Sequence, residues 1–199
     1  MENLLGQGRL AIDLIVDEGS FVENALTDLN LPCEDYGPGA VVGSAQLNGE
    51  ICTVIANDAM AFNPRFPVAY AGVIGLEEGY KMALAVYRTM EMDRLKDATE
   101  KRPLVLIVDT PGNGPGKLEE IIGMNKATGA YQLALAQARH AGHPIDHRDG
   151  DWSCHQWCVP LPWITARPHS QFDLRIWHHD PRNAPQQYCP YHTSGCGAT

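Results

Sequence analysis

Five consecutive residues, Leu104-Val105-Leu106-Ile107-Val108, are apolar at every position, and Asp109-Thr110-Pro111-Gly112-Asn113-Gly114-Pro115-Gly116 follows them directly. A strand without polar alternation is covered on both faces, which points to a layered α/β architecture. A helical pattern then runs from Lys117 to about His140. Buried strand, Gly/Pro loop and helix start, in that order, make a place where main-chain N–H groups face a negative charge. Chemistry done by the main chain needs few reactive side chains.

The residues before this unit read as helices and strands. Gly8 to Glu23 predicts a short helix running into the turn Asp17-Glu18-Gly19-Ser20, with Phe21 as an anchor. Ala40–Leu47 and Glu50–Ala56 read as strands, and Asn48-Gly49 between them is a strong two-residue hairpin signal. Residues 57–74 are loop-rich, broken by Pro64 and Pro67. Gly75–Met92 predicts a helix with Leu76, Tyr80, Ala83, Leu84, Tyr87 and Met90 on its core face. Glu77 and Glu78 fall in its first turn, and Glu77 with Lys81 makes an i,i+4 pair. The charged segment Asp93–Arg102 leads into the buried strand. Gly142 and Pro144 end the last helix. A strand is expected directly after Pro144, and the sequence as written is not expected to supply one.

At 199 residues the chain is expected to form one domain, and 44% hydrophobic content is ordinary for a globular protein. A net charge of −9 argues against nucleic acid as the main partner. Apolar runs are too short to cross a bilayer, and Met1–Leu10 has no signal-peptide pattern, so a cytoplasmic location is expected. Cys33 and Cys52 are isolated, as reduced thiols are.

The composition changes near Ile145. Residues 146–199 contain no Lys, Glu or Met, yet hold all four Trp, four of six Cys and six of eight His. Neither helical nor alternating periodicity survives there. A zinc module would draw on Cys154, His155, Cys158, His178, His179, Cys189, His192 and Cys196, but the C-x3-C and C-x6-C spacings differ from the usual short pairs. Disorder is disfavoured by the four Trp. A frameshift is the favoured reading. Trp has the single codon TGG, and reading it one nucleotide later always gives Gly. Shifted by one from Ile145, permissive codons allow LIIGMAIGHAISGAFLCHG and, further on, IHAMPLNSIARIT. Trp152, Trp157 and Trp163 supply three of the glycines in these strings. The expected division is a partial domain over 1–145 and an out-of-frame tail over 146–199 that is disordered or poorly packed.

Ala11 to Glu23 resembles the opening of acyl-CoA carboxyltransferase subunits. Val41 to Asp58, with its Asn48-Gly49 turn, resembles their first strand pair, and Asp109 to Gly116 their D-x-P-G-x-x-P-G loop. The extensions Lys117–Lys126 and Ala138–Pro144 are similar, more narrowly, to the gamma-subunit family of malonate decarboxylases. The resemblance covers about residues 8–145, and the shifted A-I-S-G-A-F and I-H-A-M are also like that family.

The resemblance implies an incomplete crotonase-like α/β fold built from ββα units. It implies a lyase or transferase that works with a beta subunit and an acyl carrier protein, decarboxylating a malonyl thioester or transferring its carboxyl group. No cofactor is expected to bind directly; an acyl-carrier prosthetic group or biotin would sit on a partner. Gly112 and Asn113 would be main-chain donors of an oxyanion hole. Pro111, Gly114, Pro115 and Gly116 would shape the loop, and Arg65 would contact a carrier phosphate. The second half of the pocket matches only the shifted string, so an inactive relic stays beside the enzyme reading, as does a zinc-binding interaction protein. His140 and His143 read as helix-end residues, where a cationic imidazole is favoured. Asp109 reads as ordering the loop. Lys117 is open between neutralising a carboxylate and simple solvation.

Overall fold

A computed structural model describes residues 6–26, 31, 33, 35–66, 73–110, 112–114 and 117–149. The chain divides into two units, 1–160 and 161–199, and every described residue lies in the first. The elements are α1 (Gly8–Ile15), β1 (Val22–Glu23), β2 (Ala40–Leu47), β3 (Glu50–Asn57), α2 (Leu76–Met92), β4 (Leu104–Val108), α3 (Lys117–Ile122), α4 (Met124–His140) and β5 (Ile145–Asp149). The strands form one sheet in the order β1-β2-β3-β4-β5, antiparallel up to β3 and parallel from β3 to β5.

Both sheet faces are covered, as the apolar run of β4 requires. Leu104 and Leu106 pack with Val42, Ile55, Met82, Val86, Ala134 and Ala138, beneath α2 and α4. Val105 and Ile107 point the other way, among Val41, Val54, Ala56 and Ile12 of α1. Successive side chains leave a strand on opposite faces, so a strand between two layers is apolar throughout.

The hairpin is as expected. Leu47 pairs with Glu50, leaving Asn48 and Gly49 as a two-residue turn with φ of 53° and 81°. Positive φ at both positions is the geometry that Asn-Gly favours. The Asp17 carboxylate accepts both turn N–H groups, at 2.9 and 2.7 Å.

Several expectations change. The first helix ends at Ile15 before the turn and Phe21 packs against the core, as expected, but Val22–Glu23, not expected as a strand, pairs with β2. The long second helical pattern is two helices. Gly123 between α3 and α4 has φ 105°, on the left-handed side, where a glycine meets little steric cost. The segment after Pro144 does form a strand: β5 pairs with β4 from Leu104↔Ile145 to Val108↔Asp149. Ladder hydrogen bonds come from the main chain, so a polar sequence can fill this position.

The buried face of α2 also differs from the expected one. Leu84 and Tyr87 are each 37% exposed, whereas Glu77, Glu78, Lys81, Met82, Val86 and Thr89 are buried. Glu77 bonds Arg65, the Gly37 N–H and Asn63, and Lys81 Nζ donates to the Gly37 carbonyl at 3.3 Å. Sequence-distant partners satisfy these charges, which is why they can be buried. Thr89 shares a 2.8 Å hydroxyl–hydroxyl hydrogen bond with Thr53 beneath the sheet.

Candidate functional site

The loop begins where β4 ends. Asp109 is buried, and its Oδ2 accepts the Gly6 N–H at 2.5 Å, so this carboxylate ties the N-terminal segment to the loop. Thr110 is buried too. Its Oγ1 lies 3.1 Å from Gly112 N and 3.2 Å from Gly112 O, accepting from the amide and donating to the carbonyl. Gly112 has φ 127°, on the side that favours glycine.

Beyond Gly112 the loop is stitched to the residue that precedes the α2 cap. The Ile74 N–H donates to the Gly112 carbonyl at 2.9 Å, and the Gly114 N–H donates to the Ile74 carbonyl at 3.0 Å. This makes an isolated parallel bridge between Ile74 and Asn113. Ile74 spends both its groups on the neighbours of Asn113, so the N–H and C=O of Asn113 point away from Ile74. Asn113 is half-buried between two buried glycines, and its N–H has no main-chain partner among the described residues. Its side-chain Oδ1 accepts Thr128 Oγ1 of α4 at 3.4 Å.

Gly112 is therefore corrected as an open donor, because its amide is already bonded to Thr110. The Asn113 N–H, directed away from Ile74, keeps no main-chain partner among the described residues. Gly114 is packed closely: a Cβ there would come within 3.1 Å of Glu119 Cγ. Pro111, Pro115 and Gly116 lie outside the described residues, as do the tail Cys and His residues and the proposed out-of-frame segment beyond 149. Among the described residues no group of three or more His, Cys, Asp or Glu is placed to hold a metal ion.

Arg65 is engaged within the chain. Its Nε and Nη2 reach Glu77 at 2.6 and 2.8 Å, Nη1 reaches Asp35 Oδ2 at 2.9 Å, and Nη2 also reaches the Asp35 carbonyl at 2.7 Å. Burial pushes the Glu77 carboxyl up, but hydrogen bonds from Arg65, Gly37 and Asn63 outweigh it and hold the group below its ordinary value. A guanidinium committed to two carboxylates is an anchor for this corner, not an open phosphate contact. Likewise the expected Glu77–Lys81 pairing gives way to these partners.

His143 departs from the cationic helix-end reading. It is buried, with Nδ1 3.0 Å from the Arg102 carbonyl, and burial pushes its pKa down. A carbonyl only accepts, so the proton resides on Nδ1 in the neutral ring. His140 and Lys117 are exposed.

The match to known proteins decides the family: residues 7–141, which include the whole loop, fit the carboxyl transferase domain. The chain belongs to the carboxyl transferase domain family. This carboxyltransferase-family chain is 68% identical over 145 residues to the malonyl-S-ACP:biotin-protein carboxyltransferase MADD of Malonomonas rubra, covering 73% of this chain and 50% of that protein. It is 35% identical to a subunit of the Pseudomonas malonate decarboxylase MdcD–MdcE hetero-dimer, with a TM-score of 0.53 over 62% of this chain and 48% of the other. The transcarboxylase 12S core is 23% identical with a TM-score of 0.53, covering 71% of this chain and 23% of that one, a likeness of fold alone. The fold is thus the crotonase-like α/β fold of carboxyltransferases, and the chain spans about half the length of the relatives it matches. Among the described residues no helix is long and apolar enough to cross a membrane.

Sequence reading missed Thr110, Ile74 and Thr128, which hold the loop. Thr110 carried a local signal, since a Thr two residues before a turn glycine is placed to bond its main chain. Ile74 and Thr128 carried none, because their contacts span 39 and 15 positions in sequence.

Proposed function

We propose that this chain is a carboxyltransferase subunit of malonate decarboxylase type. It acts with a beta subunit on a malonyl thioester carried by an acyl carrier protein, releasing CO₂ or passing the carboxyl group to biotin on a partner. The observation that carries this reading is the 68% identity to a relative whose name states malonyl-S-ACP as donor and a biotin protein as acceptor. The Pseudomonas malonate decarboxylase structures it resembles are a hetero-dimer and a hetero-tetramer, which supports a multi-subunit role. A cytoplasmic location suits that role.

In the reaction the bond between the carboxylate carbon and the α-carbon breaks. CO₂ leaves, and the electron pair moves into an enolate with its charge on the thioester oxygen. A fixed N–H aimed at that oxygen lowers the barrier, and losing one such donor costs about 10²–10³ in rate. The Asn113 N–H is the donor we assign. Gly114, with Pro111, Pro115 and Gly116, shapes the approach. Protonation of the α-carbon completes turnover; where the carboxyl group is passed on, the ureido nitrogen of biotin bonds to the CO₂ carbon and gives up its proton, which balances the proton taken by the enolate.

The test is a complex of this chain with its partner carboxyltransferase subunit, assayed for CO₂ release from malonyl thioester and for carboxyl transfer to biotin. Activity that depends on this chain supports the proposal; its absence in a soundly folded complex overturns it. The change of composition after Ile145 favours a second reading, an inactive relic of such a subunit with a frame change. The nucleotide sequence around codon 145 decides the frame, and the same assay decides activity.

A further inference from the structure

Thr110 is the side chain in the loop that touches both main-chain groups of one residue. Its hydroxyl accepts from Gly112 N at 3.1 Å and donates to Gly112 O at 3.2 Å. That carbonyl also accepts from Ile74 N at 2.9 Å. Gly112 C=O and Asn113 N–H belong to one planar peptide unit, and in a trans peptide they point in opposite directions. No peptide bond among the described residues is cis. Whatever fixes the Gly112 carbonyl therefore fixes where the Asn113 N–H points.

We infer that Thr110 is a positioning residue: it withdraws the Gly112 N–H from the pocket and, with Ile74, aims the Asn113 N–H at the substrate oxygen. The inference rests on the oxyanion reading above and adds which amide acts and what aims it. Thr110 is 1% exposed, so it touches no substrate and acts through the peptide unit. A hydroxyl has one proton and two lone pairs, which is the inventory this double contact needs. Serine keeps that inventory. Valine keeps the shape and loses both bonds, freeing the Gly112 amide and leaving Ile74 alone on the carbonyl.

The test compares T110S and T110V in the complex with the partner subunit. With malonyl thioester, T110V is expected to lose about tenfold or more in kcat, with KM changed less than about threefold, because a donor misaimed in the transition state costs part of what a deleted donor costs. T110S is expected to keep kcat within about threefold. Wild-type kcat in T110V, or equal losses in the two variants, overturns the inference. Amide hydrogen exchange supplies a readout independent of turnover. The Gly112 amide is expected to exchange slowly in wild type and T110S and fast in T110V. Equal rates in all three overturn the inference even if the complex proves inactive, whereas a T110V-specific rise with no turnover in wild type overturns only the functional reading.

Discussion

Ile74 and Asn113 lie side by side in a one-residue parallel bridge, with Ile74 bonded to Gly112 at 2.9 Å and Gly114 at 3.0 Å. Ile74 directly precedes Gly75, the cap of α2. The loop after β4 is therefore attached to the start of a buried helix, and its conformation is set by more than its own glycines and prolines.

Gly112→Ala tests the loop backbone. At φ 127° a Cβ adds strain of about 1–3 kcal/mol. Denaturant unfolding is expected to register that loss, and turnover in the complex is expected to fall as the following peptide shifts. An alanine variant with unchanged stability and kcat would show the loop to be freer than described.

Arg65→Ala tests the anchor at the start of α2. It leaves the buried Glu77 carboxylate with Gly37 and Asn63. A lost hydrogen bond to a charged group costs roughly 1.5–3 kcal/mol. Glu77 sits below its ordinary 4.5 in the folded chain, so its contribution is present above that pH and is lost on acidification. The gap between wild type and variant in urea midpoint is thus expected to be widest near neutrality and to narrow in acid.

Asp93 offers a second acid-side measurement. The buried carboxylate accepts from Arg102 N, Nε and Nη2 at 2.9, 3.0 and 3.1 Å and pairs with Lys96 at 2.8 Å. Burial alone would raise its pKa, but the Lys96 and Arg102 hydrogen bonds bring it from 3.8 down to about 2. Its stabilisation is complete above 3.8 and is lost as pH falls through about 2. Asp93→Asn is expected to be less stable near neutral pH, with a flatter stability profile across that acid window, by urea melts at stepped pH.

His143 should titrate the other way. Its folded pKa lies below 6.5, so the fold favours the neutral ring, and the associated stability is complete above 6.5 and declines below it. Imidazole NMR is expected to show His143 titrating below 6.5, with the proton on Nδ1 in the neutral form. A value at or above 6.5 would refute the buried, neutral assignment.

The strand–loop–helix unit was legible because its signals are local: an unbroken apolar run, closely spaced glycines, and a helical period. Asn48-Gly49 was legible for the same reason. The face of α2 was not, since a hydrophobic stripe cannot announce that Glu77, Glu78 and Lys81 go inside. Their partners Arg65, Asn63 and Gly37 come from other loops. The orientation of the Gly112 amide was likewise hidden, because glycine spacing shows that a loop can turn but not which way its peptides face. β5 was missed because side-chain pattern was the guide where main-chain pairing governs.

Gly123 separates α3 from α4 with a single left-handed residue, and only α4 has its Ala127, Ala134 and Ala138 seated against the core. The two helices thus answer to different constraints: α4 is braced, and through Thr128 it steadies Asn113, whereas α3 shows Leu118 and Ile121 largely to the outside, 65% and 70% exposed. Glu119 of α3 is buried against Gly114, so a swivel at Gly123 would press on the loop from the α3 side while the Thr128 contact from α4 held Asn113 from the other; the outer face of α3 and the loop are thus mechanically joined.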